Sequence, residues 1–344
     1  MTYGVFFSLA GIFIVSMSSV QAVIIIATVR ELSNNNRLIV LHDNHKDSEE
    51  RDLEQLEAAV KALVDREKNT DRPIHILTES AVEEIRIYYA NILCSLKTWI
   101  CCLDDELANT TIESIETRKL SGAVGYILGV KNRECLKEEH HISIDNDFKN
   151  GWWVGKIVFN DLYKDFRIQQ VTARQTYKDL LMICDSEQEK IYIKQYYNSF
   201  MDQAKLEFIK YGDFLKENNI DMCSDQSIYK MVYDWDQLKR DQLDYLLVYC
   251  FSPFFDFNAY ARIISLHKQS SSLDIVFGAG SNHCWRIETP LINTLPGKQV
   301  YSIYNDTLPQ GLRGLPQDLI YKLFQAESPA KETPYLLPSF CTLF

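Results

Sequence analysis

The segment from Arg37 to Glu79 constrains the fold of this chain most. "RLIVL" is an apolar, β-branched run suited to extended chain, and "VIIIATVREL" before it reads as a partner strand. The intervening "SNNN" supplies asparagines that tolerate a tight turn. Next, "SEERDLEQLEAAVKALVDREK" repeats Leu53, Leu56, Val60, Leu63 and Val64 at helical spacing, with Ser48 as a candidate N-cap and acids in the first turn. "RPIHILTES" then carries Ile74, Ile76 and Leu77 in a short extended run ending at Thr78-Glu79. Strand, helix and strand in this order make a βαβ unit, whose crossover renders the strands parallel and brings their carboxyl ends to one edge of a sheet.

That edge receives His42, Asp43 and His45 from "LHDNH" and Glu79 from the next strand. Open α/β sheets place their ligands there. A second βα pattern returns late in the chain. "FFDFNAYARIISLHK" sets Phe257, Tyr260, Ala261 and Ile264 at helical spacing, and "LDIVFGAGSNH" follows as a strand. It runs into a glycine-rich loop, where Gly278 and Gly280 permit close backbone approach and His283 ends the strand. Residues from about 83 to 250 carry mostly helical patterns and read as an insertion, with "HHISIDNDF" as one more short strand ending at Asp145 or Asp147. The tail from Pro290 holds turns and one short helix, "PQDLIYKLFQ". The expectation is a single α/β domain over 23–344: a mostly parallel or mixed central sheet flanked by helices, with a large helical insertion.

The first charged residue is Arg30, and "YGVFFSLAGIFIV" is followed by "SMSSVQA", where Val20 and Ala22 suit the small-residue rule of signal peptidase. Residues 1–22 are therefore expected to be a signal peptide, with an uncleaved membrane anchor over residues 3 to 29 or a buried strand as alternatives. The first makes the chain an exported protein, periplasmic or secreted, and the second anchors it N-terminally at a membrane. Nine cysteines suit an oxidising compartment, but they are odd in number and form no regular framework or CxxC zinc pattern. A net charge of -11, with no basic stripe, argues against nucleic acid as a partner.

His45, Glu79 and His283, brought to one rim, have the make-up of a divalent-metal site with an open water position; zinc, manganese and cobalt all suit His and carboxylate donors. His42 is a further candidate ligand, although a strand-end side chain facing solvent is the simpler reading. Asp43 either orients His45 through its other ring nitrogen or complements the following helix dipole. His45 alone could be a turn residue held by a carbonyl, and Glu79 a helix cap. Cys284 would face away from His283 and reads as structural; the pair His140-His141 reads as solvated, because neighbours on a strand point to opposite faces.

"LHDNH", "LTES" and "GAGSNH" resemble the signature segments of the TIKI/TraB/ChaN-like superfamily, which includes erythromycin esterases. Gly280-Ser281-Asn282-His283 matches the Gly-x-x-His segment literally; the first segment departs, with His42 in the glycine position. "FFDFNAYARII" is similar to the helix before the second His segment, which would put Asp256 and Arg262 at the rim of the site. The resemblance covers residues 36 to 85 and 250 to 287. It implies a hydrolase of peptidase or esterase type acting on a peptide or small molecule, in which His45, Glu79 and His283 hold a divalent ion or position a water. Asp43 would orient His45, and Arg262 would hold a substrate carboxylate or an oxyanion. A metal-free version uses His45 or His283 as general base. The rival expectation is a non-catalytic exported or anchored binding or host-interaction protein on the same fold, which the loss of the first glycine favours.

Overall fold

The computed structural model describes residues 23–44, 49–79, 107–129, 136–144, 147–304 and 315–325. Strands β1 (Val23–Glu31) and β2 (Arg37–Asn44) form the expected antiparallel pair, with Asn34 and Asn35 at positive φ in the turn between them. Helix α1 (Glu49–Asn69) leads to β3 (Ile74–Thr78). The insertion is not purely helical: Thr110–Ser114 is a strand, β4, that pairs parallel to β3 at the edge of the central sheet. The reason the pattern hid it is composition, since "TTIES" has one large apolar residue and an edge strand needs little more.

Helix α2 (Lys119–Gly129) is followed by a hairpin of β5 (His141–Ile144) and β6 (Asp147–Trp153), separate from the main sheet. The "HHISIDNDF" strand is thus half of a pair; Asp145 lies outside the described residues. Three long helices come next, α3 (Phe159–Ile183), α4 (Glu187–Glu217) and α6 (Gln237–Gln269), with the short α5 (Ile228–Val232) between the last two. Ser186 and Asp236 accept backbone N–H bonds as N-caps of α4 and α6, which fixes where these helices start. The chain closes with β7 (Asp274–Gly280), α7 (Ser281–Thr294), β8 (Lys298–Tyr304) and α8 (Gln317–Phe324).

The six-stranded sheet has the order β4-β3-β7-β2-β1-β8 and is mixed. β4, β3, β7 and β2 run parallel, while β1 is antiparallel to both β2 and β8. β7 is the central strand and every residue of it is buried, which explains its unbroken apolar run. Alternation on β2 splits the core in two. Leu38 and Val40 face the layer of α2 to α7, and Ile39 and Leu41 face α1 and α8. Helix α8 packs on α1, burying Ile320, Leu323 and Phe324 at about 1.5–3 kcal/mol each.

An anchor running to residue 29 does not fit this architecture, because residues 23–29 form a strand paired with β2 and, from Ile26 on, with β8 as well. Residues 1–22 lie outside the described part. No helix among the described residues is long and apolar enough to cross a membrane.

Candidate functional site

The parallel strands put their carboxyl ends on one edge, and the registers Asp43 with Gly280 and Thr78 with Gly278 set the rim. Glu79 leaves β3 there and is buried. Its backbone N–H donates to Gly278 O at 3.4 Å, and its Oε2 accepts the Gly280 N–H at 3.1 Å. Glu79 is thus tied to the glycine-rich turn rather than serving only as a cap.

His283 does not end β7. Gly280 is the N-cap residue of α7, and His283 sits in that helix's first turn, which aims the imidazole sideways at α6. Asp256, from the middle of α6, is buried, and its Oδ1 lies 2.5 Å from His283 Nδ1. On the other ring nitrogen, Arg118 Nη1 lies 3.0 Å from His283 Nε2. A guanidinium has only donors, so Nε2 must be the acceptor and Nδ1 carries the proton that Asp256 receives. These two contacts fit the Nδ1–H tautomer of His283.

Arg118 closes the cluster. It lies on the segment that follows β4, and its guanidinium donates to Glu79 Oε1 and to both oxygens of Glu116, through Nε at 2.9 Å and Nη2 at 2.7 Å. Phe255 lies 4.6 Å beneath the guanidinium and 4.7 Å from the His283 ring, sealing one side. Burial disfavours the Arg118 charge, but attraction to Glu116 and Glu79 outweighs it and raises its pKa above the usual arginine value. Arg286, one turn along α7, lies 3.4 Å from the second oxygen of Asp256.

His42 points away from this cluster and away from solvent. It is fully buried under α7, with the Trp285 ring 4.5 Å away edge-on and Glu288 Oε2 3.5 Å from Nε2. Neither ring nitrogen has a hydrogen bond among the described residues. Thr28 donates to the other oxygen of Glu288 at 2.5 Å. The solvent-facing expectation for His42 fails because β2 is interior and α7 covers its end. Asp43 is buried too, and its backbone carbonyl accepts the Ser281 hydroxyl at 3.1 Å, tying β2 to the start of α7.

Arg262 is bound elsewhere. Its guanidinium bonds both oxygens of Glu113 at 2.7–2.9 Å, and His75 lies 2.8 Å from the same carboxylate. Burial and then hydrogen bonding act in opposite directions on Glu113: desolvation raises its pKa, and the bonds from Arg262 and His75 bring it below the ordinary value. Six residues, or about 9 Å of helix rise, separate Arg262 from Asp256. Cys284 is buried; its thiol donates to the Leu41 and Ala279 carbonyls, and burial, then Glu288, keeps it strongly protonated, as suits a structural residue. His45 lies outside the described residues.

The structure therefore unites Glu79, His283 and Asp256, with Asp256 orienting His283, and adds Arg118 and Glu116. Those two were missed because "IETRK" matches no motif and follows a strand that was itself hidden. No protein-family model, curated protein or solved structure matches this chain.

Proposed function

We propose that the chain is a hydrolase of peptidase or esterase type, in which His283 acts as general base on a water at the carboxyl edge of the sheet. The observation that carries this reading is the buried Asp256–His283 pair, with Nδ1 to Oδ1 at 2.5 Å. A carboxylate behind an imidazole holds the reactive tautomer and stabilises the imidazolium that forms. In the proposed step, Arg118 Nη1 transfers its hydrogen bond from Nε2 to the carbonyl oxygen of a peptide or small-molecule acyl substrate. Water then attacks the carbonyl carbon and gives its proton to Nε2, while charge develops on the oxygen held by Arg118. The imidazolium returns that proton to the departing amine or alcohol. Glu79 and Glu116 fix the guanidinium.

The divalent ion implied by the TIKI/TraB/ChaN-like resemblance would draw on Glu79 and His283, with His45 outside the described residues. With Arg118 in place these donors face a guanidinium, and no three His, Cys, Asp or Glu side chains among the described residues stand within reach of one ion. An exported or N-terminally anchored setting belongs to the same proposal, supported by the apolar run "YGVFFSLAGIFIV" and the small residues Val20 and Ala22 after it.

A second reading, a non-catalytic exported or anchored binding or host-interaction protein, is favoured by one observation: the bond from Arg118 engages the lone pair that a base must offer. Assay of p-nitrophenyl esters and fluorogenic peptides separates the two. The hydrolase reading expects turnover by the wild type, loss of at least about 100-fold in His283→Ala and in Asp256→Asn, and unchanged circular dichroism. Full activity in folded His283→Ala refutes it.

A further inference from the structure

We propose that the outward face of the helical hairpin α3–α4 docks on a bilayer of anionic phospholipid, its aliphatic side chains entering the lipid and its lysines and arginines meeting the headgroups. This face is turned away from α6, and so from the Asp256–His283 pair. Docking is therefore independent of the hydrolysis proposed above.

Seven of the thirteen large apolar side chains that stand exposed among the described residues belong to these two helices. Single exposed apolar residues are ordinary, but these are grouped. On α3, Phe166 meets Phe251 and Phe254 of α6, and Ile168, Val171 and Met182 fall about half a turn round the helix from it. On α4, Phe200 meets Phe254 and Phe257, and Ile191, Leu206 and Ile209 fall on the opposite side in the same way. The six are 46% to 76% exposed. The ring stacks Phe166–Phe208 and Tyr177–Tyr197 set the level of one antiparallel helix against the other, which puts Ile168 level with Leu206 and Met182 level with Ile191. The apolar residues thus share one side of the pair of helices.

Charge identifies the occupant. Over the same levels, residues 163–182 and 191–209, the exposed cations are Lys164, Arg167, Arg174, Lys178, Lys194 and Lys205, against the exposed acids Asp179 and Asp202. Six cations less two acids leave +4 on this face of a chain whose net charge is -11. The contacts of Lys164 with Asp161 and of Lys205 with Asp202 are long, 3.6 and 3.5 Å, and weak enough to yield to a headgroup. A second copy seated here across a two-fold axis would set one positive face against another. An acidic protein is the poorer match, because protein interfaces favour aromatic residues and are depleted in lysine, whereas this face is aliphatic and lysine-rich. An anionic bilayer suits both features: aliphatic groups reach the acyl boundary while the long stems of Lys and Arg carry their charges to the phosphates. The acidic remainder of the surface is repelled by the same bilayer, which fixes the orientation.

The test is co-sedimentation of the full chain with vesicles of two parts phosphatidylcholine to one part phosphatidylglycerol, compared with phosphatidylcholine alone. Wild type is expected to bind the anionic vesicles, and to do so at least about tenfold more weakly at about 0.5 M than at about 0.05 M salt. Ile168→Ser/Leu206→Ser and Lys178→Glu/Lys205→Glu should each weaken binding at least about tenfold. Ile292→Ser, which removes an exposed apolar residue of α7, should leave it unchanged. Every substituted side chain is exposed, so circular dichroism should stay that of the wild type; if the serine variant does not fold, the charge variant decides. Equal binding to phosphatidylcholine alone overturns the proposal. So does unchanged binding in either folded double variant, the result that attachment through residues 1–22 would give. Failure of the wild type to bind overturns it too, and is the outcome that a protein partner predicts. No arm reads turnover, so membrane docking and the hydrolase reading fail separately.

Discussion

Asp165, on the face of α3 one turn before Gln169, has its carboxyl pushed up to about 6 by burial, with the hydrogen bond from Gln169 acting against the rise. A folded pKa above the unfolded one means that the folded state holds a proton the unfolded state has released. The associated stability is present below the ordinary carboxylate value and is lost as pH rises through about 6. Asp165→Asn keeps the shape without the charge, so it should be more stable than wild type at pH 7.5, by about 1–3 kcal/mol, and the gap should close near pH 4. Urea melts at the two pH values check this; a constant difference would contradict it. The same scale shows what single residues conceal. His283 was legible as a candidate because a strand pattern ran straight into Gly-x-x-His, but its partner Asp256 read only as a rim group, since the helical spacing of "FFDFNAYARII" does not say which turn meets α7. His42 looked solvent-facing because a strand end usually is; the helix covering it is set by chain more than two hundred residues later.

At the scale of elements, the end of the sheet opposite the site is held by a clasp. Asp274, the first residue of β7, is fully buried and receives Arg37 at 2.5 Å, Arg66 at 2.9 Å and Arg72 at 2.7 Å. The same arginines donate to the carbonyls of Phe324, Gln325, Arg72 and Asn35, joining α1, β2, β7 and the end of α8. One carboxylate thus orients three guanidiniums, from β2, from α1 and from the segment before β3. Asp274→Asn leaves them without their common counter-charge, and the expected loss is about 3–5 kcal/mol by urea denaturation, with α8 released first in hydrogen exchange. A loss under about 1 kcal/mol would show that the carbonyls suffice. β1, β2, α1, β3, β7 and α8 were legible, from an apolar run or a period that matches each element, and α6 was legible from Phe254 onward. β4 was not, for want of apolar residues, and with it went Glu116 and Arg118.

For the whole molecule, the mixed order β4-β3-β7-β2-β1-β8 explains why residues from distant parts of the chain share a rim: β7 enters between β3 and β2, carrying α7 and His283 to Glu79. The βαβ pattern made that convergence readable in advance. What it could not supply was the cation at its centre, which comes from a loop between two inserted elements. The account rests on the state of one ring, and ¹⁵N NMR of histidine side chains, assigned with His283→Gln, reads it directly. At neutral pH we expect the His283 Nδ1 to be protonated and Nε2 to be a bare acceptor, with the Nε2 resonance shifting in Arg118→Lys as its donor changes. An Nε2–H tautomer, or an imidazolium, at that pH would contradict both the Asp256-oriented base and its contact with Arg118.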